Sequence, residues 1–78
     1  LIFPNPASGL FNIQLKNELE GTAKINVYDI GGRLIYADEY EIYPDYSYPL
    51  DLNDKGKGVY LLEVKTGKDI YRRNIIKE

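Results

Sequence analysis

Apolar and polar residues alternate with period two along most of the chain, and no stretch carries the 3.6-residue repeat of an amphipathic helix. In "LFNIQL" Phe11, Ile13 and Leu15 alternate with Asn12 and Gln14, and in "TAKINVYDI" Ala23, Ile25 and Val27 alternate with Lys24 and Asn26. "RLIYADEYEI" places Leu34, Tyr36, Tyr40 and Ile42 in one register around Asp38. Leu50 and Leu52 share a face in "SYPLDLN", where Pro49, having no N–H, belongs at a sheet edge or a bulge. "VYLLEVKT" is almost continuously apolar from Val59 to Leu62 and reads as the most buried strand, and "DIYRRNIIK" is the last.

The separators carry turn chemistry. "ELEG" and "YPDY" make corners, "DKGKG" a loop, and Thr66–Lys68 a turn, while Gly31–Gly32 supply the positive φ that a tight hairpin needs. At the start, "FPNPASG" brackets Asn5 with Pro4 and Pro6, which fix φ and extend the residues before them, and Ser8–Gly9 turns into the first long strand. About seven short strands at even spacing predict an all-β fold: a seven-stranded antiparallel β-sandwich, immunoglobulin-like with Greek-key connections, formed by residues 1–78 as a single domain.

Composition narrows the picture. Apolar residues are 44% of the chain and aromatics 13%, with eight tyrosines, which suits a β-rich globular domain. At 78 residues, with no cysteine and no histidine, the fold has neither disulfides nor a Cys/His zinc site to help a core that buries only about 60% of the unfolded surface. No apolar run reaches the roughly 20 residues of a membrane-spanning helix. Methionine is absent, and the chain is expected to be a piece of a longer protein. The net charge of −2 is unevenly spread: residues 1–54 hold three basic and nine acidic side chains, residues 55–78 seven basic and three acidic. Such a split describes two solvated faces or a basic end that meets an acidic partner; it does not describe a nucleic-acid binder.

Catalysis has little to use. With no His and no Cys, the commonest general base and the soft nucleophile are both missing, and neither Ser8 nor Ser47 lies in a nucleophile elbow. Glu39 with Glu41, and Asp51 near Asp54, read as wetted carboxylates. "DLNDKG" echoes a calcium loop, but Lys55 occupies a ligand position and Leu62 stands where the bidentate Glu belongs, so a plain loop is the better reading than a looser site on Asp51, Asn53 or Asp54. "KGVYLLEV" echoes an RNA-binding strand, but Val59, Leu61 and Val64 replace its stacking aromatics. Tyr36, Tyr40, Tyr43, Tyr46 and Tyr48 crowd one stretch, as the rim of a thin sandwich or as a sugar- or protein-contacting surface. No enzyme, cofactor, metal site or small-molecule substrate is expected.

Four blocks in order resemble a known family. "FPNPASG", "INVYDIGGRLIY", "DLNDKGKGVYLLEV" and "RRNIIKE" are similar to the C-terminal sorting domain of type IX secretion cargo, in its type A form, over essentially the whole chain. Pro4, Asn5, Pro6 and Gly9 fall on its opening motif; Val27, Tyr28, Asp29, Gly32 and Arg33 on its second block; Gly58, Tyr60, Leu62 and Val64 on its third; Arg73, Ile75, Ile76 and Lys77 on its closing run. The tail departs from the pattern, with Arg-Asn where a lysine usually leads and Glu78 after the last lysine. The resemblance implies a non-catalytic signal from a Bacteroidetes protein. It would carry folded cargo from the periplasm to an outer-membrane translocon and be removed by a sortase upstream of Leu1, often with attachment of the cargo at the cell surface. Its partners would be translocon and sortase proteins, without membrane insertion.

Each block also has a structural job, and "FPNPASG" is open to both readings: a corner that orients the domain, or a sequence the export machinery touches. Arg33 is expected to pair with Asp29 across the hairpin base. Arg72, Arg73 and Lys77 are the expected partner-binding residues, with the C-terminal strand free for edge pairing. Two other readings stand beside this one. An immunoglobulin-like accessory module would bind glycan through Tyr36, Tyr40 or Tyr48, and unpaired sheet edges would give weak self-association.

Overall fold

Seven strands are present in the computed structural model, which describes residues 2–15, 21–43, 46–67 and 69–78. They are β1 (Ile2–Phe3), β2 (Leu10–Gln14), β3 (Thr22–Tyr28), β4 (Leu34–Glu41), β5 (Ser47–Asp51), β6 (Gly58–Lys65) and β7 (Ile70–Lys77). They form an antiparallel three-stranded sheet, β1-β2-β5, and an antiparallel four-stranded sheet, β4-β3-β6-β7. The corners expected at "ELEG" and "YPDY" and the turn at Thr66–Lys68 fall partly outside the described residues.

Compared with the constant-type immunoglobulin arrangement, in which the fourth strand joins the first, second and fifth, β4 here has crossed to pair with β3. The core is the inner face of each sheet, and alternation selects it. Phe11 and Ile13 of β2 and Leu50 of β5, with Leu52 just beyond, meet Ala23, Ile25 and Val27 of β3, Tyr60, Leu62 and Val64 of β6 and Ile75 of β7, all buried. Each large aliphatic side chain fully buried in this way stabilises by about 1.5–3 kcal/mol.

Two expectations about register change. The pairing of β3 with β4 shifts between Val27 and Tyr28, so Leu34 pairs with Tyr28 and is half exposed, while the extra residue Ile35 packs at the core's margin. β6 has more buried residues than any other strand, yet it is not buried on both faces throughout. Val59 is exposed and Leu61 half-buried, because among the described residues no layer covers the outer face of the four-stranded sheet at these positions.

The two lateral seams of the sandwich are closed by different devices. Along the β4/β5 seam, Tyr40 stacks on Tyr48 with ring centroids 4.1 Å apart, and the Tyr36 and Tyr48 hydroxyls lie 3.1 Å apart, both bonded to the Asp38 carboxylate. Along the β1/β7 seam the chain itself crosses. After β1 it passes through Pro4, Asn5 and Pro6, with cis bonds before both prolines, and Ala7 joins β7 of the opposite sheet in a parallel bridge to Lys77.

Candidate functional site

Every motif block reaches the same end of the four-stranded sheet. The register brings together the end of β3 at Tyr28, the start of β4 at Leu34, the start of β6 at Gly58 and the end of β7 at Lys77. This pole is capped by the β3–β4 hairpin and flanked by the crossing segment.

The hairpin is a tightly bonded loop. The Gly32 amide donates to the Asp29 carbonyl (2.9 Å) and the Asp29 amide to the Arg33 carbonyl (2.9 Å), a turn followed by a residue at φ 86°, Gly32. This is the three-residue hairpin with a left-handed bulge position, and only Gly32 of the Gly31–Gly32 pair needs positive φ. The Asp29 carboxylate accepts from the amides of Gly31 (3.0 Å) and Arg33 (2.9 Å) and from Arg33 Nε (3.3 Å), which is the expected pair. The Arg33 amide bond, with the Arg33 charge and the Gly31 amide, outweighs desolvation and holds this carboxyl below the usual range. The tip presents Ile30, 89% exposed.

Tyr60 is buried near the start of β6, and its hydroxyl donates to the Gly56 carbonyl at 2.5 Å. That is the tyrosine corner of Greek-key sandwiches, a tyrosine bonded back to the backbone a few residues upstream. Its role is legible as "GKGVY", a loop glycine four residues before a strand-opening tyrosine, but sequence reading assigned the residue only to a motif. Gly9 is held where no side chain fits. A Cβ there would run into the Asn53 side chain and lie 3.2 Å from its Cα, while the Leu52 amide donates to the Gly9 carbonyl at 2.7 Å. In the same loop Asp51 accepts from the Asn53 amide (2.9 Å) and Asp54 pairs with Lys55 (3.6 Å). Among the described residues no cluster of three or more potential acidic, His or Cys ligands could hold a metal ion.

"FPNPASG" has a definite partner: the outer edge of β7. Asn5 Nδ2 donates to the Asn74 carbonyl (3.1 Å), and Asn5 Oδ1 accepts from the Ile76 amide (3.0 Å). Ala7 continues the ladder, its amide donating to the Ile76 carbonyl (3.1 Å) and its carbonyl accepting from the Glu78 amide (2.8 Å). The amide side chain of Asn5 thus imitates a strand residue. This corrects the expectation of a free C-terminal strand, because the edge of β7 from Asn74 onward is occupied.

The three cations expected to act together are not gathered. Alternation puts Arg72 on the outer face and Arg73 and Lys77 on the other, the latter two about 13 Å apart. Arg72 Nε bonds Glu63 at 3.1 Å, Arg73 has no ion-pair partner among the described residues, and Lys77 is boxed between Gly58 and Ala7. Glu63 itself is buried. Desolvation would raise its pKa, but the Arg72 hydrogen bond, the Lys65 charge and the Asn26 hydrogen bond prevail and lower it.

Between hairpin and sheet lies an open hollow of about 400 Å³, lined by Tyr28, Ile30, Val59, Leu61 and Asn74 among others. Exposed Leu34, Val59 and Ile76 extend its apolar rim on the same outer face. The tyrosine cluster is different in kind. Tyr36 and Tyr48 have their hydroxyls engaged with each other and with Asp38, and Tyr40 its ring in the stack, so the groups a sugar would meet are already used in closing the seam.

Fold and pole together describe a small sandwich whose sequence motifs gather at one end, the outline of a recognition module. The family model described as "Secretion system C-terminal sorting domain" matches residues 1–78, and the chain belongs to that family of type IX secretion signals. The chain is 32% identical over 81 residues to part of an endo-acting ulvan lyase from Formosa agariphila, one of the Bacteroidetes. The match covers 97% of this chain and 14% of the lyase. The family is one of sorting signals, not catalysts, and implies export by, and interaction with, the type IX machinery.

Proposed function

We propose that residues 1–78 form the C-terminal domain of a larger secreted protein, and that the hairpin pole is the surface by which the export machinery reads it. The domain delivers cargo already folded in the periplasm to the outer-membrane translocon and is then cut away by a sortase upstream of Leu1. The cargo is released or fixed at the cell surface. The observation that carries this reading is the convergence of all four motif blocks on one pole, where Asp29, Gly32, Gly58 and Tyr60 build the scaffold and Ile30, Val59 and Ile76 are left exposed. Contiguous exposed apolar surface rimmed by polar groups marks protein docking more often than chance exposure.

The test is a fluorescent reporter fused to the domain in a type IX-competent host. Ile30→Glu with Val59→Glu charges the hollow's rim at exposed positions, where stability changes stay within about 0.5 kcal/mol. Export is expected to fall at least tenfold (equivalent to about 1.4 kcal/mol of lost recognition) with the melting temperature nearly unchanged. Parental export by this folded variant would refute the pole as the reading surface.

A further inference from the structure

The sheet edges differ in what they leave open. On β4 the Glu39 amide is taken by the Asp38 carboxylate (2.7 Å), and Asp38, Glu39 and Glu41 line the strand. β5 contains Pro49 and β1 is two residues long. These are familiar guards against unwanted strand pairing. β7 is guarded only from Asn74 onward, by Asn5 and Ala7. Its bonds fix the phase of the edge: the amide and carbonyl of Ile76 and the carbonyl of Asn74 point away from β6, so by the two-residue period those of Ile70 and Arg72 do too. Among the described residues nothing bonds to these two amides and two carbonyls. No acid or proline stands within Ile70–Arg73, and Ile70 and Tyr71 are 53% and 38% exposed.

We propose that Ile70–Arg73 is a docking edge for a short, extended, acidic segment of a partner protein, which adds as a fifth strand to the four-stranded sheet. Charge selects this occupant. A strand laid along the edge meets Arg72 on one face and Arg73, which has no ion-pair partner among the described residues, on the other, so adjacent acidic residues satisfy both cations. A second copy fits poorly. Pairing β7 with β7 sets arginine against arginine, and the acidic β4 edge is blocked at Glu39 by its own neighbour. The partner's place in the export machinery rests on the sorting reading above; the binding itself does not.

Isotope-labelled domain titrated with two synthetic peptides, Thr-Val-Glu-Asp-Val-Thr-Val and its Lys-Lys counterpart, tests this by amide exchange and chemical shift. The acidic peptide is expected to protect the Ile70 and Arg72 amides at least tenfold and to bind at least tenfold more tightly than the basic one. Ile70→Pro, which removes an outward N–H at the first residue of the strand, should abolish binding, and Arg73→Glu should erase the peptide preference. Equal binding of both peptides, no protection at millimolar peptide, or protection that grows with domain concentration alone would each overturn the proposal, the last by making a second copy the occupant. In the reporter assay, parental export of an Ile70→Pro domain that no longer binds peptide would remove this edge from sorting and leave the hairpin pole standing.

Discussion

Tyr60 and Asn5 show how single side chains of the motif blocks act through the backbone. The Tyr60 hydroxyl is the buried partner of the Gly56 carbonyl and anchors the loop that enters β6. Tyr60→Phe keeps the ring in the core and removes that bond, which costs about 1–2 kcal/mol. For a domain of this size the melting temperature should fall by roughly 4–8 °C per kcal/mol, as calorimetry would show; no change would mean the corner is ornamental. Asn5 works differently, since both ends of its amide are bonded to β7. Asn5→Ala is expected to destabilise by about 1 kcal/mol and, more tellingly, to leave the Ile76 amide exchanging faster, while amides facing β6 change only with global stability.

At the scale of strands, charge and hydroxyl networks tie neighbours together and make stability depend on pH at both extremes. The carboxyls of Glu63, Asp29 and Asp38 are all held low, Asp38 chiefly by the Tyr48 hydroxyl. A depressed carboxyl contributes fully above its unfolded value, near about 4, and the contribution is lost as pH falls through the lower native value. Burial, with the bonds to Asp38 and Tyr36, pushes the Tyr48 phenol well up, and burial also raises Tyr40. Their contribution is complete below about pH 10 and lost as pH rises through the native values, because the unfolded chain ionises first. Urea midpoints should therefore be flat between about pH 5 and 9 and fall on both sides. Tyr48→Phe should flatten the alkaline limb and Glu63→Gln the acid limb, and unchanged limbs would mean other groups control them.

For the whole molecule, the sandwich and its core were legible because alternation alone names Phe11, Ile13, Ala23, Ile25, Val27, Leu50 and Leu52, and all are buried. The Asp29–Arg33 hairpin was legible too, since its partners are four residues apart. What sequence could not show depends on long-range pairing. The bonds of Asn5 span 69 and 71 positions, and the meeting of Tyr28, Leu61 and Asn74 on one face follows only from register. Arg72, Arg73 and Lys77 look like one patch in a line of text; on a pleated strand they point to two faces, and the basic end dissolves into separate contacts.

That crossing also makes the shape of one segment depend on another laid down much later in the chain. Residues 5–7 are made before residues 74–78, and the pole's flank forms only when the two are laid side by side. A domain cut back to residue 73 would still hold most of its hydrophobic residues but would leave its opening turn without a mate. The presence of residues 74–78 is thereby written into the shape of residues 5–7, and a domain lacking them would lose that shape however well its other strands had folded.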